Sequence, residues 1–123
     1  MKILLIEPDE ASSELYASAL RAQEHEVICA NTAQQSLDEL DASMPDCIIL
    51  EIDMLQNNGF EFLYEFSSHY DWRGVPIIVH SSIAPERLRA MAVDWGDLNV
   101  EEYLYKGTTT LQELQDAVNR VKR

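Results

Sequence analysis

The sequence is short of positive charge. It carries 9 Lys and Arg against 22 Asp and Glu, a formal net charge of −13. A nucleic-acid binder needs a basic face to displace the counterions of the phosphate backbone, so this balance argues against DNA or RNA contact. Any partner surface is expected to be neutral or basic. Long apolar runs are missing as well: none approaches the ~20 residues of a membrane span, and no membrane contact is expected. The opening Met1-Lys2-Ile3-Leu4-Leu5-Ile6 gives way to Glu7 too soon for a signal peptide and reads as a first strand. A cytoplasmic location is therefore expected. Cys29 and Cys47 are the two cysteines, and without an export signal they read as reduced core residues. His25, His69 and His80 are scattered without paired spacing, which gives no transition-metal site.

What is present is a regular alternation. The 123 residues, 46% of them hydrophobic, suit one domain spanning 1–123. Residues 2–6 read as a strand. Asp9 caps a helix running to about Gln23, with Ala11, Leu15, Ala19 and Ala22 as its buried stripe. Residues 26–30 form the second strand. Thr32-Ala33-Gln34-Gln35 fits a capping box, and Ala33, Leu37, Leu40 and Met44 give the second helix its apolar face until Pro45 stops it. The third strand is 46–51, apolar on both faces and followed by the turn residues Gln56-Asn57-Asn58-Gly59. The third helix runs to about His69, with Phe60, Leu63, Tyr64 and Phe66 as core candidates. Val75 to Val79 is the fourth strand, and Pro85 opens a helix reaching about Trp95. Tyr103-Leu104-Tyr105 is a short fifth strand. Thr110-Leu111-Gln112-Glu113 is a second capping box, and Leu111, Leu114, Val118 and Val121 face inward from the last helix. Arg120, Lys122 and Arg123 complement the dipole at its end.

Five such alternations call for an α/β flavodoxin-like fold. The expected form is a doubly wound five-stranded parallel sheet of order 2-1-3-4-5, with five helices on two faces. Cys29 and Cys47 would then be separated by another strand, roughly 10 Å apart and too far for a disulfide. The strand ends would bring Glu7, Asp9, Glu51, Asp53, Ser81 and Lys106 to one shallow pocket. An acid cluster with a lysine and a hydroxyl suits an acyl-phosphate or a hard cation. His80 should point to the opposite face from Ser81 and serve a structural role.

The residues carry a resemblance over the whole chain. Ile3-Leu4-Leu5-Ile6-Glu7, Pro45-Asp46-Cys47-Ile48-Ile49-Leu50-Glu51, Gly59-Phe60-Glu61, Pro76-Ile77-Ile78-Val79 and Glu101-Glu102-Tyr103-Leu104-Tyr105-Lys106 follow in order. In this the sequence resembles a receiver domain of the two-component response regulators. The resemblance implies phosphotransfer from a histidine kinase onto an aspartate at the end of strand 3. It also implies Mg²⁺ held by acids after strand 1, with a Ser or Thr and a Lys that contact the phosphoryl group. Those positions here are Ser81 and Lys106, and Tyr103 matches the switch aromatic. The implied docking face is helix 4, strand 5 and helix 5, for a protein partner or a second copy of the chain.

The sequence departs from that pattern at the centre of the site. Eight residues before Gly59 stands Glu51, where the family has its phosphoacceptor Asp. Pro8, without a side-chain oxygen, stands where the family has a metal-binding acid, and Asp9 falls one place late. The usual Lys-Pro is Lys106-Gly107. The span from Ser81 to Tyr103 is longer than typical, with Asp94-Trp95-Gly96-Asp97 as the insertion. Trp95, Leu98, Tyr103 and Tyr105 are either docking anchors or packing residues.

A glutamate projects roughly 1.5 Å further than an aspartate, and a 1 Å misplacement can cost ~100-fold in phosphotransfer. Glu51 is therefore expected not to be phosphorylated at a useful rate, and Mg²⁺ or any other cofactor is not expected. Glu7, Glu51 and Asp53 could give at most a weak metal site. The Asp53 carboxylate has three readings: a substitute acceptor, an extra acid near a cation, or a solvated loop charge. Glu51 either imitates part of a phosphorylated state through Lys106 and Ser81, or fills a site that has lost activity. The expected function is an atypical, pseudo-receiver interaction module rather than an enzyme. The alternative is a phosphorylatable receiver catalysing its own Mg²⁺-dependent phosphotransfer. A flavin or small-molecule domain on this fold would need a Ser/Thr/Gly-rich loop where Glu7-Pro8-Asp9 stands.

Overall fold

Short β-branched and leucine-rich runs, each closed by a polar or turn residue, become strands; the segments between them become helices. The computed structural model describes residues 1–54, 59–92, 95 and 98–121. Its elements are β1 (Lys2–Ile6), α1 (Glu10–Arg21), β2 (Glu26–Ala30), α2 (Ala33–Ala42), β3 (Cys47–Leu50), α3 (Gly59–Ser68), β4 (Ile77–Ser81), α4 (Pro85–Ala90), β5 (Val100–Tyr105) and α5 (Leu111–Val121). The strands form one parallel sheet of order β2-β1-β3-β4-β5. The chain winds outward in both directions from the β1/β3 pair, and in such sheets ligands bind beyond the carboxyl ends of the strands at that switch point.

Strand alternation divides the core in two. Leu4, Ile6, Ile48, Leu50, Ile77 and Val79 pack with Leu40, Phe62, Leu63 and Phe66 of α2 and α3. Ile3, Leu5, Cys47, Ile49 and Ile78 pack with Ala17, Leu20, Leu114 and Val118 of α1 and α5. Cys29 and Cys47 are free thiols on β2 and β3, with β1 between them. Pairing of β4 with β5 slips by one residue: Ile77 faces Val100, but Ile78 faces Glu102. This bulge puts both Val100 and Tyr103 on the α2–α3–α4 side, while Leu104 joins the other.

The caps follow the sequence. Asp9 accepts from the Ser12 N–H at 2.9 Å, and Thr32 from the Gln35 N–H at 3.0 Å. Thr110 and Glu113 close a reciprocal box at 3.1 and 3.0 Å. The Gln35 amide oxygen instead reaches back to the Asn31 N–H. Gly59 is required by close approach, since a Cβ there would lie 2.4 Å from Ile52 Cα.

Several sequence expectations need correcting. The buried stripe of α1 is Ser13, Ala17 and Leu20, while Leu15 is 52% exposed. In α3 Phe62 is buried and Tyr64 exposed, its hydroxyl favouring the wet face. Met44 lies beyond α2 and, like Leu111 at the first turn of α5, is exposed. The fourth helix ends at Ala90 rather than near Trp95, because Ala92 turns left-handed with φ 51° and closes it. β4 starts two residues later than the apolar run, with Val75 and Pro76 outside it, and β5 starts three residues earlier than Tyr103. Leu98 is core, not a surface anchor. The turn residues Gln56 to Asn58, the insertion residues Asp94, Gly96 and Asp97, and the terminal Lys122 and Arg123 lie outside the described residues.

Candidate functional site

Backbone pairing carries past the strand ends and sets the site. The Glu7 N–H donates to Ala30 O at 3.0 Å, the Glu51 N–H to Ile6 O at 2.9 Å, and the Lys106 N–H to Ser81 O at 2.8 Å. Residues 7, 51, 81 and 106 therefore sit in register at one edge of the sheet.

Their side chains are joined by charge. The Lys106 ammonium lies 2.5 Å from Glu7 Oε1 and 3.1 Å from Glu51 Oε1. Each of these carboxylates is 3% exposed and the lysine 19%. Main-chain donors complete the shell. Glu7 Oε2 accepts from the Asp9 N–H at 3.1 Å. Glu51 Oε1 accepts from the Ser82 N–H at 2.9 Å, and Oε2 from the Asp53 N–H at 3.1 Å. Charge-assisted bonds of this kind are among the stronger ones in proteins.

Burial pushes the Glu51 carboxyl up, but hydrogen bonds from Ser81, Asp53 and Ser82 and the Lys106 charge outweigh it and hold the group below its ordinary range. Burial lowers the Lys106 ammonium, and its bond to Glu7 with the two negative charges more than restores it, leaving it raised. Glu51 is therefore a carboxylate and Lys106 an ammonium at neutral pH.

The other sequence candidates fall at different distances from this centre. Ser81 is fully buried, and its hydroxyl accepts from the Ile83 N–H at 3.1 Å. Asp9 is exposed and turned to Ser12, where two bonds from that residue hold its pKa down against slight desolvation. Asp53 is exposed and accepts from Ser82 Oγ at 3.2 Å. Pro8 is half-buried and offers no side-chain donor or acceptor. Tyr103 donates its hydroxyl to Ile83 O at 2.6 Å, and burial raises its pKa despite a bond with Ser81. Among the described residues, no three acids, histidines or cysteines are grouped to hold a metal ion.

On the far side of the sheet His80 meets Tyr16 edge-on at 4.7 Å between ring centroids. The Lys106 ammonium also lies 5.7 Å from the Tyr16 ring. Burial first, and the Lys106 charge second, push His80 down to about 4 despite the opposing pull of Glu51.

Sequence reasoning missed Ser82, whose N–H holds Glu51. A main-chain donor leaves no side-chain signature; the only signal was its place just past a strand end. It also missed the Ile83 carbonyl and the ring contacts of Trp95. Trp95 meets Tyr103 at 6.1 Å and Phe60 at 6.2 Å. A groove of about 330 Å³ opens between α4 and β5, with Leu88, Trp95, Val100 and Tyr103 as apolar lining and Arg89, Glu101 and Glu102 as charges.

Comparison with known proteins agrees with this fold. Residues 3–119 match the response regulator receiver domain family. The chain is 31% identical to the KDP operon transcriptional regulatory protein KdpE of Escherichia coli, over 85% of this chain and 44% of that protein. It is 30% identical to the transcriptional regulatory protein KdpE of Staphylococcus aureus, over 99% of this chain and 50% of that one. The chain thus spans about half the length of the curated relatives it matches. Among solved structures, Vibrio cholerae chemotaxis protein CheY4 superposes with a TM-score of 0.83 at 20% identity, covering 98% of this chain and 97% of that one. The BeF3-activated N-terminal receiver domain of Klebsiella pneumoniae RstA gives 0.81 at 19% identity, with both chains fully covered.

Proposed function

Because the chain belongs to the response regulator receiver domain family, we propose that it serves two-component signalling as an interaction module whose state does not depend on phosphorylation. One observation carries this reading. A single ammonium, Lys106, already joins the buried carboxylates of Glu7 and Glu51.

Three features support it. The acid at the acceptor position is a glutamate whose two oxygens are engaged by Ser82, Asp53 and Lys106. A phosphoryl group arriving there would have to displace these donors first. The donor set does not fit a divalent cation: Pro8 supplies no oxygen, and the two buried acids already have a resident positive charge between them. Without that cation, neutralisation of a transferring phosphoryl group is weak. The chain is accordingly not an enzyme in this reading; its output is protein binding. The groove between α4 and β5, with its indole and phenol, is the docking face.

The test is intact mass after incubation with Mg²⁺ and acetyl phosphate. No added phosphoryl group is expected. A stoichiometric adduct would overturn the proposal and establish the second reading, a self-phosphorylating receiver, which the placement of Ser81 and Lys106 beside Glu51 favours.

A further inference from the structure

The geometry points to Trp95 as the residue that sets the α4–β5 groove: its indole wedges the Tyr103 ring inward, so the groove keeps its shape without any event at Glu51. The significance of the groove rests on the docking reading above; the orientation of Tyr103 does not.

Tyr103 stands on β5 with its ring half-buried and its hydroxyl on the Ile83 carbonyl at 2.6 Å. Ile83 follows Ser82, whose N–H holds Glu51. The phenol is thus tied to the same loop as the buried acid. A lone neutral hydrogen bond holds such a ring only loosely, because exchange with solvent leaves a preference of only about fivefold. The second restraint is Trp95. Its ring meets Tyr103 edge-on, with centroids 6.1 Å apart and planes at 64°. Edge contacts of this type add a preference of similar size.

The indole is itself backed. Phe60 lies 6.2 Å behind it, on the first turn of α3. That turn is seated against the end of β3, where the Gly59 N–H donates to Ile52 O at 2.9 Å. The three rings therefore run from α3 to β5. An outward Tyr103 would have to enter the groove that Trp95, Val100 and Arg89 line.

The experiment compares the wild type with W95A, W95F and W95L by NMR on the isolated chain. In the wild type and W95F, Tyr103 ring protons should show strong NOEs to Ile83. In W95A and W95L, the outward share of Tyr103 should rise about fivefold, from roughly 4% to roughly 17%, so those NOEs should weaken by about an eighth and the Ser82 amide should exchange about fivefold faster as the loop loosens. W95L keeps apolar bulk without the ring, so it decides the matter if W95A does not fold. Full NOE intensity and unchanged Ser82 exchange in W95L, or in a folded W95A, overturn the inference. These signals need no partner, so a failure to find one bears only on the docking reading.

Discussion

Lys106 is the residue on which the strand-end cluster depends. Removing its charge leaves Glu7 and Glu51 buried without a counter-ion, the costly half of breaking an ion pair. The lysine is 19% exposed, so the low end of the usual range applies, about 3 kcal/mol. K106M should lower stability to urea by that amount. The triple variant E7Q/E51Q/K106M should recover most of it, because no buried charge is then left uncompensated. A loss below about 1 kcal/mol in K106M would mean that the main-chain donors alone hold the carboxylates. The glutamate at position 51 and the proline at position 8 were plain in the sequence. The amide of Ser82 was not, since every residue has one.

Among the elements, α4 is the weakest. It has six residues, none of them buried, and its N-cap Ala84 makes no side-chain bond. It ends with Ala92 at φ 51°, a conformation that costs an L-residue roughly 1–2 kcal/mol. A92G removes the clash and adds some backbone freedom to the unfolded chain, for a net gain of about 1 kcal/mol. A thermal melt checks it, and a lower melting temperature would contradict it. The same element shows why periodicity misleads. The sequence after Pro85 carries no Gly until Gly96, so nothing in composition marks a stop at Ala90. α1 presents the opposite difficulty: Ala, Ser and Leu surround the whole cylinder, and two phases look equally apolar. The one that wins buries Ser13 beside Ala17 and Leu20. Capping, by contrast, was legible at Asp9, Thr32 and Thr110, because a side-chain oxygen before a helix has one efficient use.

For the molecule as a whole, the charged groups predict a stability profile with two steps on the acid side. His80 titrates near 4 in the folded chain against 6.5 ordinarily. The unfolded chain therefore holds the extra proton between those values. Stability should fall by about 3 kcal/mol as pH drops from 6.5 to 4, then level for this group. Glu51 is depressed, so its contribution is present above the ordinary carboxylate range near ~4.3 and lost as pH falls through its folded value. Lys106 is raised, so its share is complete below ~10.4 and lost as pH climbs through its folded value. Urea midpoints across pH measure this, and H80F should erase the first step only. A midpoint that stays flat between pH 6.5 and 4 in the wild type would refute the assignment to His80. The sheet order was legible at this scale because strand–helix alternation admits few right-handed parallel arrangements. The division of the core into two halves followed from strands apolar on both faces.

The one-residue slip between β4 and β5 has a consequence for parity. Along a regular strand Val100 and Tyr103, an odd number of steps apart, would look in opposite directions. The supernumerary residue cancels that, and valine and phenol end up as neighbours on one wall. A regular ladder with the same residue count would rotate the aromatic into the layer occupied by α5 and leave the hollow beside α4 with only half its lining, whereas deleting one residue between valine and tyrosine would leave them two steps apart and again on one wall. Residue count and slip at this edge are thus set together.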